Sequence, residues 1–424
     1  MPREEGRSGR LMQERDLRYF LAGRLVSEVG SRISREGLPI AAILQLGTGA
    51  LGVSALAAAT QLPGILLSAH AGAFTDRVRR RPLLIALDLS RFVLLLSVPV
   101  LSFLHLLALW QLLVLSLLVA GIGFAYQIAD QAYLPALVGR HRLEEGNRLV
   151  YAAGGVGETA GPAAMGILVQ LLGAPLAIGF DALSNLVSAL SLSAIRRPEP
   201  ALAAPGDGAS PPKASQGLRV VLRHPVLRPL ATVLAVSQLF GGAFAALYEL
   251  YVLRSLHLGA LALGLLVTLG GIGSLISAGI SQRLVRRLGL GRTLALSLLA
   301  SGVIGLLVPA AGGGFWLAFL ALAAAQLCGD LSGTLYEINE VVLRQGITPD
   351  AWLGRVNGGM QFFGGLFGLV GTLVFGLAAS FLGTHGALWI ASAGNLALAL
   401  WFLGTAVARV EAPSLNAAAF RDAT

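Results

Sequence analysis

The sequence predicts an all-α polytopic membrane protein, with twelve transmembrane helices in two pseudo-symmetric six-helix bundles. Three observations predict it. Hydrophobic residues make up 55% of 424 and charged residues only 12%, and mean hydropathy is +0.74, which excludes an ordinary soluble domain. Apolar runs of roughly 20 residues, the length that spans a bilayer, recur from one end of the chain to the other. The two halves also repeat, in register, at an offset of 210 residues.

Taken in order, the helices are expected at about 17–45, 51–72, 82–105, 109–134, 147–172, 175–195, 226–253, 259–281, 292–312, 315–343, 354–382 and 385–408. Twelve spans put both termini on one face of the membrane, and arginine decides which face. Arg3 to Arg18, Arg77 to Arg81, Arg140 and Arg142, Arg196 to Arg228, Arg283 to Arg292, Arg344 with Arg355, and Arg409 all fall on the same side. The opposite loops at 46–51, 311–315 and 383–386 are almost uncharged, apart from Arg254. Positive charge is retained on the cytoplasmic side, so both termini are expected in the cytoplasm and the chain in a bacterial inner membrane. Met1 to Asp16 is charged and has no apolar core, so the first helix is expected to serve as its own insertion signal. The expected domains are an N-terminal tail (1–16), a first bundle (17–195), a cytoplasmic linker (196–225), a second bundle (226–408) and a C-terminal tail (409–424). The linker carries Pro198, Pro200, Pro205, Pro211 and Pro212 among Gly, Ala and Ser, which reads as flexible.

The repeat is carried by particular residues. Leu143–Gly173 and Leu353–Gly383 align without a gap: Asn147 with Asn357, Gly154 and Gly155 with Gly364 and Gly365, Gly161 with Gly371, Gly166 with Gly376. The same offset pairs Tyr126-Gln127-Ile128-Ala129-Asp130 with Tyr336-Glu337-Ile338-Asn339-Glu340. Two same-direction six-helix repeats joined by a linker are the expected result.

Several function classes are excluded. The net charge of +9 sits in loops between apolar spans, so it marks topology and offers no nucleic-acid surface. Cys328 is the single cysteine, which rules out an intrachain disulfide, and the six histidines show no metal-ligand spacing. No glycine run precedes a Lys-Ser/Thr pair, so nucleotide binding is not expected. No hydrolytic Ser/His/Asp constellation is present, no cofactor is called for, and an enzyme is not expected.

The densest charge in the first half is Gly72-Ala-Phe-Thr-Asp-Arg-Val-Arg-Arg-Arg81. An arginine costs roughly 3 kcal/mol at the bilayer centre, so these ten residues form a loop on one side. Beyond setting topology, the loop can act as a latch: Gly72 permits close backbone approach, Asp76 can face a helix N-terminus, and Arg80 can pair with a carboxylate on another helix. The pattern resembles the loop signature of the major facilitator superfamily, G-x-x-x-D-R-x-G-R-R. Gly72, Asp76, Arg77, Arg80 and Arg81 match, and Arg79 stands where that family usually has glycine. Gly157-x-x-x-Gly161-Pro162 followed by Gly166 is similar to the fifth-helix signature of drug-proton antiporters, which implies a hinge there. Ala132-Tyr133-Leu134-Pro135, Asn147 and the run from Gly173-Ala174-Pro175 to Asp181-Ala182-Leu183-Ser184 resemble the subgroup containing macrolide and enterobactin exporters.

The first helix holds the most unusual pattern in the chain. Arg24, Glu28, Arg32 and Glu36 follow one another four residues apart, with Arg35 beside them, and form one stripe of alternating charge. In lipid the stripe would be costly, so it faces water or protein. Two readings stand: a self-satisfying ladder of intrahelical ion pairs, or a proton-coupling site in which Arg32 tunes Glu28 or Glu36, with Glu158 on the fifth helix as a further candidate. Asp130 is the expected partner of Arg80 in the latch. Arg24, Gln238, Phe244, Tyr248, Asp330 and Glu337 are candidates to line a substrate cavity, where aromatic area supplies affinity and polar groups orient an amphipathic molecule; for the acids the alternative is helix–helix hydrogen bonding, for the aromatics simple packing. The resemblance implies a transporter on the major facilitator fold that exports a small amphipathic molecule, such as a drug, macrolide-like compound or siderophore, against protons, as a monomer in the bilayer. A proton-coupled importer on the same fold and a non-transporting membrane sensor or scaffold are the alternatives.

Overall fold

The computed structural model describes residues 14–67, 79–139, 142–197, 199 and 214–410. Their helices, in chain order, are α1 (Arg15–Leu44), α2 (Ala50–Leu67), α3 (Arg80–Phe103), α4 (Leu109–Val138), α5 (Leu143–Leu172), α6 (Ala174–Ser193), α7 (Ala214–Arg223), α8 (Leu227–Leu250), α9 (Ala260–Leu288), α10 (Leu290–Gly305), α11 (Leu307–Ala310), α12 (Phe315–Ile347) and α13 (Asp350–Leu403). A π-helical turn, Tyr251–Ser255, prolongs α8, and a 3₁₀ turn, Ala406–Arg409, follows α13.

The expected eleventh and twelfth helices run together as α13, but Gly383 interrupts them with φ +74° and ψ 160°. Its repeat partner Gly173 has φ +85° and ψ 159° between α5 and α6. Only glycine adopts this conformation without strain, so the same backbone break recurs in both halves at the aligned position. Among the described residues nine stretches are long and apolar enough to cross a membrane, one of them the α13 stretch that Gly383 divides. The missing spans are α1 and α5: α1 carries Arg24, Glu28, Arg32, Arg35 and Glu36, while α5 has charges at its start, Glu144, Glu145 and Arg148, and is diluted beyond them by its glycines, Thr159, Pro162 and Glu158. The count returns to the expected twelve once they are included.

Two compact units result, Met1–Gly47 with Leu62–Ala209, and Thr48–Gln61 with Ser210–Thr424. The first turns of α2 therefore group with the second unit, unlike the expected boundary at 195. The reason lies in their contacts: Gln61 Nε2 donates to Thr372 Oγ1 at 3.0 Å, and Ser54 fills the space where Gly376 has no side chain. The linker also differs from expectation. Residues 214–223 are helical, and Val220 and Val221 are buried in a core cluster with Leu227, Leu230, Leu290 and Phe402. The apolar side of this short amphipathic stretch gives it a packed seat, so this part of 196–225 is structured; residues 200–213 lie outside the described residues.

In the first unit, α1 lies between two glycine-lined contacts. Gly23, Gly30 and Gly37, spaced seven apart, face Ser191, Ser184 and Ile178 of α6. On its other side, Gly157 and Gly161 of α5 face Glu28 and Arg32. Small residues let helix backbones come close where lipid supplies no hydrophobic drive. A second core joins α1, α3, α4 and α6 through Leu17, Phe20, Leu84, Tyr133, Leu137 and Leu192, with Phe20 and Tyr133 rings 5.9 Å apart. In the second unit the counterpart of the α5–α1 contact is α13 on α8, where Gly371 sits against the backbone of Leu239 and Gly242 against Gly371 and Thr372.

Candidate functional site

The charged stripe of α1 is not a self-contained ladder. Arg24 and Glu28 pair along the helix at 3.1 Å, but Arg24 also pairs with Asp130 of α4. Arg32 pairs with Glu158 of α5 in preference to either flanking glutamate of its own helix. Arg35 and Glu36 approach only to 3.9 Å, with Arg35 largely exposed. The stripe thus ties α1 to α4 and to α5, and the glycines opposite it explain how: with no side chains at Gly157 and Gly161, the stems of Glu28 and Arg32 lie directly on the α5 backbone. Glu28 keeps 29% of its side-chain surface and Glu158 keeps 51%, so both carboxyls reach the protein surface, whereas Asp130 at 5% is enclosed.

Asp130 was expected to hold Arg80, and this pairing is corrected by the structure: its partner is Arg24. The start of α3 is occupied otherwise. The backbone N–H groups of Arg80 and Arg81 donate to Glu199 at 2.7 and 3.3 Å, and the Arg81 side chain donates to the carbonyls of Leu192 and Ser193 at the end of α6. An acid at a helix N-terminus and a cation at a C-terminus both complement the helix dipole, so Glu199 holds the start of α3 and Arg81 ties it to the end of α6. Gly72, Asp76 and Arg77 lie outside the described residues.

Three charged residues to which sequence reasoning gave no role also lie inside the first unit. Asp88 and Arg91 of α3 and Asp181 of α6 are all buried. Asp88 and Arg91 stand three apart in an apolar run, the spacing of one helix face, and this was the available signal.

In the second unit Glu340, the repeat partner of Asp130, pairs with Arg344 of its own helix at 2.8 Å, and Arg344 also meets Asn357 of α13. Asp330 packs against the bare backbone of Gly270 on α9, within electrostatic reach of Tyr248 on α8 and Glu337 one face along α12. The Tyr248 hydroxyl is buried without a hydrogen-bond partner. Asp330, Glu337 and Gln238 are exposed, while Phe244 is half-buried. Gln238 faces Gly368 of α13 beside Gln61. Pro162 is buried within α5 together with Gly157 and Gly161, and α5 runs through it unbroken as one helix.

These features define a multi-pass helical membrane protein whose polar residues are gathered inside its helix bundles, the arrangement of a membrane transporter. The sequence profile of the Major Facilitator Superfamily matches residues 25–336, and the chain belongs to that family. It is 27% identical over 422 residues to the multidrug efflux pump Tap of Mycolicibacterium fortuitum, covering 94% of this chain and 96% of that one. It is 31% identical over 229 residues to the uncharacterized MFS-type transporter y4rN of Sinorhizobium fredii (strain NBRC 101917 / NGR234), covering 53% and 54% of the two chains. Among solved structures, the fold is similar to a bacterial homologue of the iron transporter ferroportin in an inward-facing state (TM-score 0.69, 21% identity, 92% of this chain and 98% of that one) and to the nucleoside transporter NupG (TM-score 0.75, 10% identity, 92% and 98%).

Proposed function

We propose that this transporter exports a small amphipathic molecule in exchange for protons, by alternating access between its two six-helix halves. The observation that carries the reading is the end-to-end similarity to a multidrug efflux pump, which spans nearly all of both chains. The site supports it chemically. Glu28 shares Arg24 with Asp130, and as the more accessible of the two carboxyls it is the one assigned to proton exchange. Arg32 and Glu158 make a second pair of the same kind, with Glu36 beside it. Substrate contacts fall to Gln238, Phe244, Tyr248, Asp330 and Glu337 of the second unit, a set that offers aromatic area, hydrogen bonds and negative charge to an amphipathic cation. Gly157 and Gly161 let α1 slide on α5, and the Gly72–Arg81 loop works as the cytoplasmic latch. Both termini lie in the cytoplasm, and the monomer is the working unit.

The test is proton-gradient-driven transport of dyes, macrolides and catecholate siderophores in inverted membrane vesicles, wild type beside Glu28→Gln. Uptake by the wild type that collapses with a protonophore, and is lost in Glu28→Gln, is the expected result. Equal uptake by the variant removes Glu28 from the coupling. Loss of substrate from preloaded inverted vesicles, driven by the same gradient, reverses the assigned direction and makes the protein an importer. No flux of any substrate leaves the sensor or scaffold reading in its place.

A further inference from the structure

The interior of the first unit holds a second charged cluster that the α1 stripe does not use. Arg91 Nη2 donates to Ser31 Oγ of α1 at 2.9 Å and stands 4.0 Å from Asp181 Oδ2. Asp181 Oδ1 accepts from Ser184 Oγ at 2.9 Å and from Asn185 Nδ2 at 3.0 Å, and Gly30 of α1 leaves room for this group. Asp88 has no such support. The Ser188 hydroxyl of α6 is a donor within its reach and Tyr126 of α4 lies beside it, but neither carboxyl oxygen is held at full hydrogen-bonding geometry.

The charges facing Asp88 come from each packed element. Its own helix supplies Arg91, α6 supplies Asp181, and α4 supplies the Tyr126 hydroxyl. From α1 come the hydroxyl of Ser34 beside Asp181 and the guanidinium of Arg24 near Tyr126. Arg24 is already committed to Glu28 and Asp130. Among the described residues the cluster therefore contains two carboxyls and one guanidinium, and both carboxyls are fully enclosed. An enclosed carboxylate whose nearest guanidinium is engaged by a second carboxyl, and whose neighbouring hydroxyl is not at full hydrogen-bonding geometry, is disfavoured, and taking up a proton resolves it.

We propose that Asp88, Arg91 and Asp181 form a buried site for a single proton, carried by Asp88 while Arg91 leans on Asp181, and that this site takes part in coupling. Arg91 stands three residues after Asp88 on α3, so one side-chain swing carries it from Asp181 to Asp88. As it arrives, the Asp88 O–H breaks and the proton passes to water admitted when the helices around the cluster part, leaving a carboxylate paired with the guanidinium. The reverse swing restores the O–H with a proton from water, and no other bond changes. The coupling role rests on the proposed proton-exchange function; the proton itself does not, because it is measurable without transport.

The experiment is infrared spectroscopy of the purified full-length protein in lipid nanodiscs at neutral pH, following the carbonyl stretch of protonated carboxylic acids. The expected result is a band lost in Asp88→Asn. The same band is lost in Asp181→Asn, because Arg91 is then free to pair with an ionised Asp88. A hydrogen-bonding role for Asp181 alone does not predict that second loss. A band unchanged in both folded variants overturns the proposal, and if Asp88→Asn does not fold, Asp181→Asn decides alone. In vesicles, both variants are expected to keep substrate counterflow and to lose accumulation driven by the proton gradient. Intact gradient-driven accumulation, or accumulation driven by sodium in its place, overturns the coupling role. If the wild type moves no substrate, the export reading fails while the infrared result still stands or falls by itself.

Discussion

Gly161 on α5 lies directly against Arg32 on α1: a Cβ at position 161 would stand 2.9 Å from Arg32 Cγ and 3.3 Å from the carbonyl oxygen of Val29. The Val29 oxygen is backbone and cannot rotate away, so Gly161→Ala forces the two helices apart. Overpacking of this kind costs about 1–3 kcal/mol. Gly154, two turns earlier on α5, has nothing within 4 Å, and there alanine removes only the entropy penalty of glycine, a gain of about 0.5–1 kcal/mol. Thermal unfolding in detergent should therefore move in opposite directions for Gly161→Ala and Gly154→Ala. A lowered midpoint in both, or in neither, refutes the close contact.

Arg24 is the shared counter-charge of Glu28 and the enclosed Asp130. Removing it leaves a buried carboxylate alone, so Arg24→Met should destabilise by about 3–5 kcal/mol. Adding Asp130→Asn to Arg24→Met should recover part of that loss, and a double-mutant cycle on unfolding free energies measures how much. Glu158→Gln should cost about 1 kcal/mol or less, because its pair with Arg32 is half open to solvent.

His224 sits outside the membrane spans, and its Nδ1 accepts the backbone N–H groups of Val226 and Leu227 at 3.2 and 3.3 Å, at the start of α8. Burial lowers its pKa below the ordinary 6.5. A protonated ring carries a hydrogen on Nδ1 and cannot accept those bonds. The folded-state value is the depressed one, so the contribution is present above pH 6.5 and is lost as pH falls through the folded pKa. Unfolding measured from pH 7.5 down to pH 5 should show this loss in the wild type and not in His224→Asn, which keeps an acceptor without a titration.

Glu199 receives the first two amides of α3, those of Arg80 and Arg81. Glu199→Ala should cost about 1 kcal/mol, the usual worth of an N-terminal acceptor. Hydrogen exchange should quicken in the first turn of α3 and remain unchanged in its middle; uniform quickening along α3 would mean that the acid holds more than the helix end.

The fold was legible because hydropathy, arginine placement and the 210-residue repeat are properties of the chain as a line. Gly173 and Gly383 show the repeat reaching down to a single backbone conformation. The site was legible only in part. Arg24, Glu28 and Arg32 announced themselves by four-residue spacing, but nothing in that spacing says that Arg24 meets Asp130, 106 residues away, or that Arg32 prefers Glu158. Assigning Asp130 to Arg80 failed for the same reason: a cross-helix partner is fixed by which faces meet. Asp88 passed unremarked, and Asp181 stood only within a family-like run and was given no role, because each is a lone acid in an apolar stretch, and only packing reveals that they share Arg91. The short helix at Ala214–Arg223 was masked by the prolines before it.

The two helices too polar to qualify as spans, α1 and α5, are the two that pair through Arg32 and Glu158. During synthesis α1 leaves the ribosome long before α4 and α5, so its arginines and glutamates reach the insertion machinery before their partners exist. Hydropathy alone gives such a segment little reason to stay in lipid. Its stable placement must await the later helices, which makes the order of membrane assembly, and the factors that shelter α1 in the interval, a direct outcome of where this chain put its charges.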